Sequence, residues 1–398
     1  MTASPTVYLD SQDFSRFGDV LRGKSDDATG KLFTALEDRA LSGAATFVAS
    51  MPLLGELLQY DADFRETTFR KAEAIERLCG ANAVAYPPRA IAIEVAKAAY
   101  DALLIDAPPD ESVLRGERRW YPDVSDVFEG FRETVLDRAH NAMGEITAFN
   151  RNARRRAKKL ITLPNIIRFA REGSPQFALE YGLPENAVIK SIVACLQDRA
   201  TPQQASDSLF SAIAEPQRFV ELYFERLESD RSLPEWISGM GQTLFDAFGN
   251  IQKTLAPLSN DPEFGSKVRR IVDSQIQKFE EIALNICAED SKKLGVTAGV
   301  LDAFKGNSQL RSTVPACRIF SSLVRGYTLQ VVGVSAKSAS IERSFGGDLV
   351  HAFYIPHVDF WRSDRRFSAL VKETLPEYSA KVIPQLRDLP TAIDAFRG

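Results

Sequence analysis

Apolar residues fall in short β-favouring runs at both ends of the chain and at helical spacing through its middle. Thr6-Val7-Tyr8-Leu9 is a first strand candidate, ending at Asp10. Leu32, Phe33, Leu36 and Ala40 predict a helix over about 26–41. Ala45–Ala49 reads as a second strand, followed by Ser50 as an N-cap and Pro52 in the first turn of a helix carrying Leu53, Leu54, Glu56, Leu57 and Leu58. A helix around 64–78 and a third strand at Ala83–Tyr86 follow. Pro87-Pro88 then stops the strand and launches a helix with Ile91, Val95, Ala98, Ala99 and Leu103. Strands alternating with helices of this length predict a parallel sheet flanked by helices.

Ala107-Pro108-Pro109-Asp110-Glu111 reads as a linker, and the pattern changes beyond it. From about 124 to 305 the spacing is helical throughout, as in Val188, Ile189, Ile192, Val193 and Leu196, or Val268, Ile271, Val272, Ile276 and Phe279. Pro164, Pro184, Pro202, Pro216, Pro234, Pro257 and Pro262 punctuate it as loops between helices. The mixed pattern then returns. Cys317–Leu323 is apolar, Tyr327–Val334 suits a strand or a continuing helix, and a helix over 347–354 precedes a strand, His357–Arg362, just before Asp364. The expected architecture is therefore a discontinuous α/β domain, residues 1–115 with 315–398, interrupted by an all-α inserted domain, 116–314.

Composition adds bounds. The 398 residues exceed one ordinary domain, and 44% hydrophobic with 26% charged is a globular balance. A net charge of −4 leaves any nucleic-acid surface to local clustering. Cys79, Cys195, Cys287 and Cys317 form no CxxC pair and, with three histidines, point to buried reduced thiols rather than zinc or disulfides. The polar start shows no signal peptide, and no window approaches the roughly 20 apolar residues of a membrane span. A cytoplasmic protein is the expectation.

Four acids occupy positions where an α/β fold places functional groups, beyond the carboxyl ends of strands. Asp10 follows the first strand and Asp364 the last. Glu56 lies two turns into the helix after the second strand, and Asp348 is expected in the first turn of the helix feeding the last strand. Clustered carboxylates raise one another's pKa unless a cation neutralises them, and all-oxygen ligands suit Mg²⁺ or Mn²⁺. Such an ion activates water and polarises a phosphate ester, so phosphodiester hydrolysis is the implied chemistry.

These residues also carry a resemblance. Val-Tyr-Leu-Asp10-Ser-Gln-Asp13 resembles the opening strand and first acid of the PIN-domain family. Ala-Ser50-Met-Pro-Leu-Leu-Gly-Glu56 is similar to its second motif, and the run from Gly-Gly-Asp348 through Asp364-Arg-Arg-Phe367 resembles its third and fourth. The likeness covers roughly residues 5–110 and 315–385. It implies a PIN-like α/β fold and a metal-dependent endonuclease, with RNA ahead of DNA as substrate and Asp10, Glu56, Asp348 and Asp364 as catalytic metal ligands. Gln12 stands where the family has asparagine, and the large insertion is a second departure; both bear on substrate choice.

Other residues are weighed beside these. Asp13 is an accessory ligand or a helix cap, Asp359 a site member or a solvated, ion-paired acid, and Glu94 an additional acid on the helix after the third strand. His351 shares a helix face with Asp348, which suits a structural histidine or a phosphate contact. Arg362, Arg365 and Arg366 surround Asp364 and suit substrate phosphates or carboxylate partners. Arg151 to Lys159 holds six positive charges, among them Arg154, Arg155 and Lys158, and reads as a nucleic-acid-binding arm or a solvated helix. Phe219, Tyr223, Phe224, Phe245 and Phe248 fall at helical spacing and read as core.

Two further classes stay open: a non-catalytic module of PIN-like fold that binds nucleic acid or protein, and a phosphatase resembling the haloacid dehalogenase family. The latter wants a second Asp where Gln12 stands, so it ranks below the others. A homo-oligomer is compatible with the sequence.

Overall fold

The computed structural model describes residues 4–58, 62–134, 163–180, 183–211, 213–226, 263–334 and 344–397. The basic run with Arg154, Arg155 and Lys158 lies outside the described residues, as do Phe245, Phe248, Pro234, Pro257 and Pro262.

β1 (Thr6–Tyr8) is buried along its whole length, as a central strand covered on both faces must be. It pairs in parallel with β2 (Thr46–Phe47), Val7 opposite Phe47. On its other side it pairs in parallel with β5 (Phe360–Trp361), Val7 opposite Phe360 and Tyr8 opposite Trp361. Strands from the two ends of the chain thus meet in one three-stranded sheet. The remainder of this region is mostly helical: α1 (Ser11–Leu21), α2 (Asp27–Leu41), α3 (Met51–Leu57), α4 (Arg65–Cys79) and α5 (Pro87–Asp101) follow in turn. Gly18 lets α1 lie close on α4, since a Cβ there would stand 3.1 Å from the Lys71 backbone nitrogen. α5 is buried almost all round, from Pro87 to Ala99 with the exception of Lys97, and reads as a core helix rather than a surface one.

Several expected elements differ in detail. The third strand is only β3 (Ala83–Val84), and it pairs antiparallel with β4 (Leu114–Arg115), a strand too short for any periodicity to reveal. A parallel bridge from Ala49 to Ala83 links it to the main sheet. The strand expected over 357–362 shrinks to β5 because Ile355–His357 forms a 3₁₀ turn around Pro356. Tyr327–Val334 is helical, the last turns of α14 (Pro315–Val334). The helix before β5, α15 (Ser344–Ala352), starts three residues before the expected point, so Asp348 stands in its second turn and not its first.

Contacts divide the chain into two compact units, residues 1–120 with 238–398, and residues 121–237. Of the 116–314 stretch that the sequence sets apart, α10 (Phe264–Ile286), α11 (Ala288–Lys293), α12 (Ala298–Gly306) and α13 (Ser308–Thr313) belong to the first unit. The reason is burial: Cys287, Phe304 and Val314 join the same core as Ile91, Val95 and Phe320. Charge pairing adds to it, with buried Arg89 of α5 held by Glu111 and by Asp290 of α11. The second unit is helical where described, with α6 (Leu163–Glu180), α7 (Glu185–Leu196), α8 (Pro202–Ser211) and α9 (Pro216–Arg226). Pro202 and Pro216 open their helices, where a missing N–H goes unused, rather than lying in the loops between them. Val188, Ile192, Leu209, Phe219 and Tyr223 fill its interior, and Phe224 is buried beside them. All four cysteines of the chain are buried and unpaired. No helix among the described residues is long and apolar enough to cross a membrane.

Candidate functional site

Asp10 ends β1 and caps α1: its Oδ1 accepts the Gln12 backbone N–H at 2.9 Å. Asp364 follows β5 and caps α16 (Arg365–Thr374), where its Oδ1 accepts the N–H of Phe367 at 2.8 Å. The family-like aromatic three residues on therefore has a local use for its amide, while its ring is buried against Trp361 and Phe345. Capping occupies one oxygen of each aspartate.

Glu56 is brought to the same place by α3, whose start is set as the sequence predicts, with the Ser50 hydroxyl accepting the Leu53 N–H. Its closest charged neighbour is His351 of α15, with Nε2 at 3.1 Å from Oε1. The two groups form a close ion pair, Nε2 of the buried ring facing the carboxylate. Burial works against both charges, but the pairing prevails: Glu56 is held below the usual carboxylate range and His351 above the usual imidazole range. The other ring nitrogen, Nδ1, meets the Tyr8 hydroxyl, which also lies 2.7 Å from Ser50 Oγ. Burial keeps the Tyr8 phenol neutral. A consistent proton arrangement follows, with the imidazolium donating to Tyr8 and Tyr8 donating to Ser50. Tyr8 and Ser50 are thus supporting residues that a search for acids passes over.

Asp348 is the most perturbed of the four acids. Burial is the largest cause and His351 opposes it. The charges of Glu56, Asp364 and Asp10 add to the rise, and its carboxyl is pushed from 3.8 up to about 8. The other three sequence-predicted acids thus lie close enough to act on Asp348. Among the described residues, however, no three of His, Cys, Asp and Glu close in tightly enough to enclose a metal ion directly. The donor chemistry fits a hard divalent cation, and Mg²⁺ is commonly held by one or two carboxylates with water completing its shell.

Gly347 gives the Glu56 carboxylate its present place, because a Cβ there would lie 2.8 Å from Glu56 Oε1 and make it shift. Gly347→Ala is expected to push the Glu56 carboxylate away from His351 and lower the imidazole pKa, through loss of its neighbouring negative charge. An NMR titration of the three histidines reads this directly; an unmoved His351 would mean that Glu56 does not set its charge.

The remaining candidates separate from the cluster. Asp13 neither caps α1 nor joins the acids: it is fully buried and ion-paired to Arg362 Nη2 at 3.1 Å. Burial is the main cause and Asp10 adds to it, so that the Asp13 carboxyl stands at about 7 despite Arg362. A signal for this was available, since Asp13 shares the inward side of α1 with Phe14 and Phe17, where an acid needs a partner. Arg362 is accordingly a buried residue, whereas Arg365 and Arg366 are exposed. Asp359 accepts the Thr6 N–H at 2.8 Å and pins the sheet edge. Glu94 is buried elsewhere, with Oε2 on the Ala316 N–H at 2.7 Å and Oε1 on His357 at 2.6 Å, a tie between α5, α14 and the turn before β5. No family model matches the chain, and neither curated proteins nor solved structures yield a significant match to it.

Proposed function

We propose that this chain is a metal-dependent nuclease, hydrolysing phosphodiester bonds of nucleic acid, with RNA the favoured substrate, through Asp10, Glu56, Asp348 and Asp364. The observation that carries the reading is Asp348, whose half-buried carboxyl is raised first by desolvation and then by the charges of Glu56, Asp364 and Asp10 around it. A bound Mg²⁺ or Mn²⁺ would offset those charges, activate water and steady the leaving oxygen. In this reading Asp10 and Asp364 present their uncapped oxygens, while His351 anchors Glu56 and is itself oriented by Tyr8. Arg362, Arg365 and Arg366 contribute positive potential next to Asp364 for substrate phosphates. The protein is taken as cytoplasmic, and the PIN-like character of its fold belongs to the same proposal.

Asp10→Asn and Asp364→Asn test it, because asparagine can keep the caps but brings less charge to a cation. With Mn²⁺ and single-stranded RNA or DNA, each variant is expected to lose about 10²–10³-fold in cleavage rate, the scale of one strong transition-state contact. Cleavage equal to the unsubstituted protein would remove these acids from the chemistry. A non-catalytic nucleic-acid- or protein-binding module is the second reading, favoured by the absence of a close three-ligand cage among the described residues. Salt-dependent binding with no metal-dependent turnover would decide for it.

A further inference from the structure

Beside Asp364, on the side formed by α1, the start of α2 and the 384–387 segment, lies a cleft of about 770 Å³. Four arginines line it: Arg16 from α1, Arg362 and Arg365 from either side of Asp364, and Arg387 from near the C-terminal end. Gln12, Thr29 and Gln385 add neutral polar groups. Two carboxylates face these cations, Asp364 and Asp26, and each has an oxygen engaged by a helix N-terminus. Arg16 and Arg365 form no ion pair among the described residues, and the Arg387 side chain is 77% exposed, with Asp388 3.8 Å away. Arg362 is the exception in burial. Its side chain is 5% exposed and only Nη2 meets a carboxylate, so Nε and Nη1 are buried with no acceptor. Unmet donors on a buried guanidinium are costly, and in a cleft of this kind an incoming anion is the natural acceptor.

We propose that this cleft is a phosphate-monoester subsite, which receives the terminal phosphate of a nucleic-acid strand or a free nucleotide. Charge selects the monoester. Arg362 and Arg387 have carboxylate partners in Asp13 and Asp388, but Arg16 and Arg365 have none among the described residues, and two such cations match a monoester at about −1.5 to −2 better than a backbone diester at about −1. Arginine is suited to the role because its planar fork meets two phosphate oxygens at once. The volume also falls within the range of about 300–1,000 Å³ typical of small-ligand sites. The strand-end version rests on the nuclease reading, since it places a chain end next to Asp364. The phosphate site itself does not depend on that reading.

The test measures binding in chelator, where no turnover occurs, using the full chain and short fluorescent RNAs that differ only in carrying a 5′-phosphate, a 3′-phosphate or hydroxyl ends. A phosphorylated strand is expected to bind about tenfold or more tightly than the hydroxyl strand, as one added charge-assisted bidentate contact gives. In Arg16→Gln/Arg387→Gln that ratio should fall to about one to three, and Arg365→Gln, a second surface change, should reduce it as well. Competition by adenosine 5′-monophosphate at the affinity of the phosphorylated strand identifies a free nucleotide as the source; weak competition identifies the strand end. Equal binding of phosphorylated and hydroxyl strands, with no binding of adenosine 5′-monophosphate, overturns the proposal. So does a phosphate preference that survives unchanged in both folded variants. A separate Mn²⁺ cleavage assay on hydroxyl-ended RNA keeps the two ideas apart, since its failure ends the nuclease reading without touching the binding ratio.

Discussion

Asp348→Asn is expected to make the metal-free protein more stable at high pH while abolishing any response to Mn²⁺. The sign follows from the carboxyl's shift from 3.8 to about 8. Because the folded state holds this proton more tightly than the unfolded state, Asp348's contribution is fully present below pH 3.8 and is lost as pH rises through about 8. Each pKa unit corresponds to about 1.4 kcal/mol. Solvent screening at a partly exposed site cuts the total to about 1–3 kcal/mol. His351, whose pKa is also raised, slopes the same way. In chelator the unsubstituted protein should therefore lose thermal stability from about pH 5 to pH 9, whereas Asp348→Asn should lose less and melt higher at pH 9. Mn²⁺ should restore the unsubstituted protein, most strongly at high pH, and leave the variant unchanged. Cleavage by the variant should fall about 10²-fold or more. A variant that melts lower than the unsubstituted protein at pH 9 in chelator would show that this carboxyl is not under the negative pressure inferred for it.

The second large effect concerns Arg362. Replacing it with methionine strips the counter-charge from Asp13, which is 0% exposed. Breaking a buried pair from one side costs about 3–5 kcal/mol, or roughly 6–20 °C in thermal midpoint for a unit of this size. The penalty should grow with pH, because the Asp13 carboxyl is at about 7 and below that value is mostly a neutral acid. Adding Asp13→Asn should recover a good part of the loss, since no buried charge then remains unpaired. Scanning calorimetry of the single and double variants at pH 5 and pH 8 reads all of this. An Arg362→Met protein as stable as the original at pH 8 would mean that Asp13 is held by something other than this guanidinium.

Much of the site was legible because capping and strand ends are local. Ser50, Pro52, Asp10 and Asp364 announce themselves through the residues beside them. What could not be read lies in contacts between distant segments. His351 shares a helix face with Asp348, yet its ion-pair partner is Glu56, nearly 300 positions earlier. Arg362 looks from its neighbours like a substrate residue alone, and only the packing of α1 shows that it also holds Asp13. The strands were overestimated for a related reason. Runs such as Ala83–Tyr86 and His357–Arg362 have β-favouring composition, but a proline-bearing turn and a crowd of helices leave room for two paired residues each. Helices 264–313 have ordinary amphipathic spacing, which does not say which neighbour their apolar faces will cover.

The sheet built from both ends also has a kinetic consequence. The amide of Thr6 waits for Asp359, 353 residues later, and β1 waits for β5 on that same side. At a synthesis rate of 5–20 residues per second, that is an interval of roughly 20–70 s. Throughout it the nascent chain carries a hydrophobic strand with one bare edge, the kind of surface that recruits other strands. The intervening helical unit can fold during that time, but it also keeps the two halves of the sheet apart until β5 is made. The central strand is thus made well before the partner strand that completes it. Its exposure time, rather than its final stability, should govern how much newly made protein reaches the folded state.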